Sequence, residues 1–458
     1  MDQTLQSICT FLRDVRYEDL GEDVVLVAKR LLIDSLGCAV GGHATEQARM
    51  AREVATAVTP SSGASSSVVW VDGTQTSPDL AAFANGVAMR VLDFNDYFHA
   101  MNTGGHPSDY IAAVLAVAED ADADGKQVLL SIVSAYEIFC RYMEVGGLGS
   151  GAWDQVVPGV LASAGASAQL MGLTGEQTAH AVSLAIVANM ALQETRLGNV
   201  SIWKGAAAAN ASRNGIFAAT LARVGITGPD EPFSGRGGVF AEAVKPFEAP
   251  SLGANNTFAI TRCQFKRFPV GSLSQSAATA TAELRSQISD IADVAEIEVL
   301  TNHEAIRIMA ADQEKWHPET RESADHSIPY VVAVTLIKGA PTVADFEEEL
   351  FREDYVLDLM SKVKVAADDE CVAAFPATTM AKVRIKLTDG TDLKASATYH
   401  RGHPNNPMTD DELEHKFRQL VVPVLGAGAA DDILDIAWTV DDQPSIGRLI
   451  KSLQRPGV

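Results

Sequence analysis

Along the first half of the chain, apolar residues recur every three to four positions, the spacing that lines one face of an α-helix. "VVLVAKRLLIDSLGCAVGG" shows this pattern and ends on Gly41-Gly42, which reads as a helix stop. "DLAAFANGVAMRVLDF" (79–94), "PSDYIAAVLAVAEDA" (107–121) and "GKQVLLSIVSAYEIFCRYM" (125–143) repeat it. Pro107 suits a first helical turn, because the N–H it lacks has no intrahelical acceptor there. Thr174-x-x-Gln177 is a capping box that opens a further helix. "GAAAANASRNGIFAATLARVG" has Ala- and Ser-rich faces that let helices approach closely.

After about residue 260 the period shortens to two. "VAEIEVLTN" and "SKVKVAAD" read as short strands, and "AKVRIKLTDGTDLKASATY" (381–399) reads as a hairpin. In the hairpin Val383, Ile385 and Leu387 alternate with Arg384, Lys386 and Thr388, and Asp389-Gly390 supplies the turn. A helix, "DHSIPYVVAVTLIKG", lies between these strands, and a second capping box, Thr409-x-x-Glu412, begins a helical tail. The prediction is a mostly α protein with a smaller α+β domain. Residues 1–266 and 401–458 form a large, discontinuous helical domain, and residues 267–400 form the α+β domain.

Composition narrows the function. At 458 residues the chain exceeds one core, and 47% hydrophobic with 21% charged residues is globular usage. A formal charge of −23 argues against nucleic acid and anionic membrane surfaces, which select basic patches. An anionic ligand therefore needs a local cationic island. The N-terminus "MDQTLQSICTFLRDVRYEDL" lacks a basic n-region and a long apolar core, and no run reaches the length of a membrane span. Cys9, Cys38, Cys140, Cys263 and Cys371 lie too far apart for a CxxC or iron–sulfur pattern. The expectation is a cytoplasmic protein with reduced thiols.

One stretch departs from plain packing. "DFNDYFHAMNTGGHPSD" (93–109) places Asp93, Asp96, His99, His106 and Asp109 between two apolar helices. Three readings compete. Asp93, Asp96 and His99 suit a divalent metal in residue type, but no HExxH-like pair supports one. Alternatively, the acids are helix ends, with Asp109 in a first turn complementing the dipole. In the third reading His106, between Gly104-Gly105 and Pro107, faces a cleft as a general acid or base.

Three other stretches carry cations. In "SIWKGAAAANASRNG", Lys204 stands at the start of an Ala-rich helix, where an ammonium and free N–H groups together attract carboxylates; the plain alternative is a snorkelling surface lysine. In "CQFKRFPVGSLSQS", Lys266, Arg267 and Ser272 stand at the predicted domain boundary, as an anion site or as a solvated linker. In "KWHPETRESADHSIPY", Arg321 can clamp a carboxylate in bidentate fashion, whereas His326-Ser327 reads as a helix start. "GGLGSG" (146–151) follows a helix rather than a strand, so it is no dinucleotide fingerprint. "SGRGGV" lacks the Lys-Ser/Thr of a phosphate loop, and no G-x-S-x-G elbow occurs.

Taken together, "LLIDSLGCAVGG", "VLDFNDYFHAMNTGGHPSD", "SIWKGAAAANASRNGIFAATLARVGITGP", "FKRFP", "KWHPETRESADHSIPYVVAVTL" and "GHPNNPMTDDEL" resemble the MmgE/PrpD family along nearly the whole chain. That family includes 2-methylcitrate dehydratase, cis-aconitate decarboxylase and iminodisuccinate epimerase. The resemblance implies a helical domain with an α+β lid, a homodimer, and an enzyme that needs neither metal nor organic cofactor. It also implies catalytic roles for Asp93, His106, Lys204 and Lys266, matched through D-F-N-D…H-P-S, W-K-G and K-R-F-P. Tyr97 stands where the decarboxylases carry threonine, and "GAWDQVVPG", with Trp153, Asp154 and Gln155, stands where relatives carry histidine. Tyr97, Gln155, Arg267, Ser272 and Arg321 are therefore the expected substrate-binding set. The implied activity is a cofactor-independent lyase on a di- or tricarboxylate, most of all a hydro-lyase of 2-methylcitrate type, with a decarboxylase or epimerase as the alternative. A non-catalytic helical binding protein is the reading from another class.

Overall fold

In the computed structural model, residues 1–455 are described except 59, 62–63, 102, 198–200 and 348–349. The chain divides into two compact units, Met1–Cys263 with Thr409–Val458, and Gln264–Met408.

Among the described residues, the first unit is built on nine long helices and a returning tail. They are α1 (Gln3–Asp14), α2 (Glu22–Gly42), α3 (Glu46–Thr56), α4 (Pro78–Arg90), α5 (Ile111–Asp120), α6 (Gly125–Glu144), α7 (Val157–Leu170), α8 (Gly175–Ala188) and α9 (Trp203–Arg223). Thr174 accepts from the Gln177 N–H and opens α8 as its capping box. The core of this unit is made largely of small residues: Ala112, Ala162, Ala164, Ala181 and Ala219 are all inaccessible. Small side chains give little area each, but they let helix axes close up.

Gly42 shows the same economy. It is the last residue of α2, as the sequence predicted, and a Cβ there would stand 2.0 Å from the Ala88 carbonyl oxygen of α4. The glycine pair is thus both the end of α2 and a point of helix contact. The helix Asp410–Leu425, opened by the Thr409–Glu412 capping box, packs back along α2.

Two small hairpins interrupt the helices. β1 (Ser67–Val69) pairs with β2 (Thr74–Thr76), and β3 (Phe98–Ala100) pairs antiparallel with β4 (Thr103–Gly105). The second falls inside 93–109, where the sequence predicted no strand. β3 and β4 are three residues each, too short for a period-two signal to emerge.

The second unit holds a four-stranded sheet in the order β6–β5–β7–β8, from β5 (Val294–Thr301), β6 (Val363–Ala367), β7 (Ala381–Leu387) and β8 (Asp392–Ala397). β5 and β6 run parallel, while β7 is antiparallel to both β5 and β8. Ile297, Val299, Val383 and Ile385 face the core with Ala277, Leu284, Val331 and Val334 of the helices Gln275–Arg285 and Ile328–Lys338. The alternate residues pair in the open, as Glu296 does with Lys364 (2.6 Å) and Arg384 with Asp392 (2.7 Å). No described helix is long and apolar enough to cross a membrane.

Candidate active site

α4 ends at Arg90, and the chain then turns sharply: Asp93 adopts φ +49°, a left-handed conformation that costs most side chains about 1 kcal/mol and aspartate less. The turn folds Asp93 back onto its own helix end, where Arg90 Nη1 donates to its carboxylate. The same guanidinium donates from Nη2 to His106 Nε2 (3.0 Å), and its Nε lies 3.8 Å from Asp109 Oδ2. Arg90, Asp93 and Asp109 are all buried. One cation thus holds two carboxylates and an imidazole.

His106 is held from its other side by the Asp96 carbonyl, 2.6 Å from Nδ1. A carbonyl only accepts and a guanidinium only donates. The proton therefore sits on Nδ1, and Nε2 presents its lone pair.

Behind this group a buried polar scaffold fixes the loop. Asp96 accepts from the Ser108 N–H (3.1 Å) and the Tyr136 hydroxyl of α6 (3.0 Å), and Asn95 donates to Ser108 Oγ (2.8 Å) and Asp109 Oδ1 (2.9 Å). These bonds employ Asp96 in holding the loop, and Arg90 takes up Asp93. Among the described residues, Asp93, Asp96 and His99 are not brought together as a set of possible metal ligands. The Tyr97 ring is buried against His99, with centroids 4.9 Å apart. Asp109, expected only as a helix-dipole partner, does lie in the first turn, Pro107–Tyr110, that leads into α5, yet its carboxylate belongs to the Arg90 cluster.

Gly105 is needed for space. A Cβ there would meet Phe139 at 2.6 Å and the Gln155 side-chain amide at 2.8 Å. Gln155, with its amide nitrogen toward the Gly104 carbonyl, donates to that oxygen and accepts from Arg196 Nη2 (3.1 Å). Arg196 Nε also binds Asp154 (2.9 Å). The Asp154–Gln155 segment thus borders His106 through the glycine pair.

Lys204 is the second residue of α9. α9 runs antiparallel to α4, since Arg213 lies 3.8 Å from Asp79 and Ala209 packs on Gly86. Continuing that register sets the first turn of α9 level with the α4 terminus that carries Arg90. Farther along α9, Ser212 donates to the Asp109 carbonyl (3.1 Å).

In the second unit Lys266 is fully buried, so it is no solvated linker, whereas Arg267 is exposed over the Phe268 ring at 5.5 Å. Ser272 opens the turn Ser272–Ser274, ahead of the helix Gln275–Arg285. The preceding Gly271 N–H donates to the Asp325 carbonyl (2.8 Å), and Asp325 N–H donates to that of Arg321 (2.9 Å). This brings Ser272 and Arg321 to one neighbourhood with a close Asp325–His326 pair. Ser327 caps the helix Ile328–Lys338 by accepting from the Tyr330 N–H (3.1 Å).

Residues 6–250 match the MmgE/PrpD N-terminal domain, and residues 268–442 match the MmgE/PrpD C-terminal domain. The chain belongs to the MmgE/PrpD family. The chain is similar to human cis-aconitate decarboxylase, at 26% identity over 98% of its own length and 94% of the relative's. It is also similar to 2-methylcitrate dehydratase of Escherichia coli K12, at 30% identity over 70% of this chain and 71% of that one. A probable 2-methylcitrate dehydratase of Saccharomyces cerevisiae matches at 27% over 88% of this chain and 82% of the relative.

Within the MmgE/PrpD N-terminal domain, Arg90 escaped the sequence reading. The available signal was a lone arginine in the apolar run "NGVAMRVLDF", three residues before an aspartate. In the C-terminal domain the Asp325–His326 pair carried only its adjacency as a signal.

Burial sets the acidity of the scaffold. It pushes the Asp96 carboxyl up to about 7, against the hydrogen bonds from Ser108 and Tyr136. It pushes Asp109 up to about 6, against the opposing pull of Arg90 and Arg196. An unfolded aspartate loses its proton near pH 4, roughly, so between that value and 7 the folded state binds a proton at Asp96 that the unfolded chain does not. Stability from this group therefore falls as pH rises across that window. Asp96→Asn is expected to flatten the decline, which urea midpoints at pH 5, 6 and 7.5 would reveal. An equally steep decline in the variant would refute the assignment.

Proposed function

We propose that the protein is a cofactor-independent lyase acting on a di- or tricarboxylate, and that its leading reaction is dehydration of a 2-methylcitrate-like acid. The observation that carries this reading is a neutral imidazole, His106, whose Nε2 lone pair lies in a cluster with one buried cation. A base in that state suits removal of a proton next to a carboxylate. Asp93 supports His106 through Arg90, which binds both. Lys204 and Lys266 are assigned to substrate carboxylates, where they offset charge that develops as the carbanion forms. Tyr97, Gln155, Arg267, Ser272 and Arg321 are assigned to substrate selection.

A second reading, decarboxylation, is favoured by the match to cis-aconitate decarboxylase over 98% of this chain. The two are separated by incubating the purified protein with citrate, 2-methylcitrate, cis-aconitate and iminodisuccinate and resolving the products. Dehydration is expected to give an alkene absorbance with no carbon dioxide. Carbon dioxide release would replace it with the second reading, and inversion without either would indicate an epimerase. Failure to turn over any of these acids would count against the lyase assignment.

A further inference from the structure

Arg90 links Asp93 to His106, and its position also controls the proton transfer. Its guanidinium covers the atom of His106 that must receive the proton: Nη2 stands 3.0 Å from Nε2. While that hydrogen bond stands, Nε2 cannot accept from carbon. The Nδ1 side offers no other route, because its proton is engaged by the Asp96 carbonyl at 2.6 Å. The imidazole ring is therefore oriented correctly and blocked at once.

The remaining bonds of Arg90 show how the block can open. Nη1 is paired with Asp93, and Asp109 lies 3.8 Å from Nε, so the cation stays neutralised when Nη2 leaves the imidazole. A carboxylate is a stronger acceptor for a guanidinium than a neutral imidazole is, because the bond is charge-assisted on both sides. We propose that Arg90 gates His106: a substrate carboxylate draws Nη2 away from Nε2, so the base is uncovered only when an acid is bound. Arg90 on this account contacts the substrate and selects for an anion beside the carbon to be deprotonated. The inference rests on the reading of His106 as the proton acceptor.

The test uses full-length protein carrying ¹⁵N-histidine, with His106→Gln identifying the signals of that ring. Propane-1,2,3-tricarboxylate serves as the probe, since it carries the carboxylates but no hydroxyl to eliminate. In the protein alone, Nε2 is expected as an unprotonated nitrogen accepting a hydrogen bond, with the proton on Nδ1. The probe is expected to shift Nε2 toward an unbonded nitrogen. In Arg90→Gln that response should vanish, while KM on the turned-over acid rises about tenfold, or 1.4 kcal/mol, and kcat changes little. Arg90→Lys should restore part of the KM.

An Nε2–H tautomer or an imidazolium in the parent protein overturns the gate, as does the same probe response in Arg90→Gln as in the parent. Should neither Arg90 variant fold, the parent spectra alone decide. Calorimetric binding of the probe with an unmoved Nε2 signal overturns the gate while leaving the lyase reading intact. No binding together with no turnover counts against both.

Discussion

Replacing His106 by glutamine is expected to lower kcat/KM on the substrate by about 10²–10⁴-fold, the usual contribution of a positioned acid or base. The loss should fall on kcat rather than KM, because the imidazole is assigned to the reacting proton and the carboxylates are assigned to the cations. Glutamine is the informative replacement. Its amide can still meet the Asp96 carbonyl or the Arg90 guanidinium, the two groups that hold the ring at 2.6 and 3.0 Å, so the buried loop keeps partners. Steady-state kinetics with circular dichroism on the same sample provide the check. Full turnover in a folded His106→Gln variant would sink the proposed mechanism, and a rise in KM alone would reassign His106 to binding.

The second large effect is expected far from that imidazole in sequence. Lys416, in the helix Asp410–Leu425, reaches Asp34 of α2 at 2.6 Å and donates to the Phe94 carbonyl at 2.8 Å, with its ammonium 3.9 Å from the Phe94 ring centroid. Both charged side chains are buried. Lys416→Met removes the cation and leaves a buried carboxylate beside an apolar chain, which typically costs 3–5 kcal/mol. The urea midpoint should fall accordingly. Lys416→Met combined with Asp34→Leu should recover much of the loss, since the penalty lies in the stranded charge rather than in a missing attraction. Phe94 adjoins Asp93, so activity should also fall in the single variant at temperatures where it remains folded. A single variant within 1 kcal/mol of the parent would show that Asp34 finds adequate compensation elsewhere.

The pair Asp34–Lys416 also marks where sequence reasoning ends. "DDELEHKFRQL" has the look of a solvated amphipathic helix, and nothing in it distinguishes Lys416 from Lys or Arg neighbours that face water. What buries Lys416 is the return of this helix onto α2, where it meets Asp34 from more than three hundred residues away. Gly42 gives the converse lesson. As a glycine after an apolar run it reads as a stop, and α2 does end on it, but the close approach of the Ala88 carbonyl also excludes any side chain there. Local pattern reports a need for glycine without saying whether conformation or space creates it.

The amino-acid sequence by itself determined the helices with strong period and caps, at Thr174 and Thr409, and the hairpin at 381–397 with its Asp389-Gly390 turn. Its motifs also sufficed for the family, whose two domains match along the chain. These features depend on residues a few positions apart, where side-chain spacing and backbone preference act directly. Only the tertiary structure decided how the chemistry of 93–109 is divided. It put Arg90 between Asp93 and His106, gave Asp96 to Tyr136 and Ser108, and fixed the His106 proton on Nδ1. Those assignments depend on which donor meets which acceptor after α4, α6 and the β3–β4 hairpin have packed. Burial then sets the protonation of Asp96 and Asp109, and no spacing along the chain encodes burial.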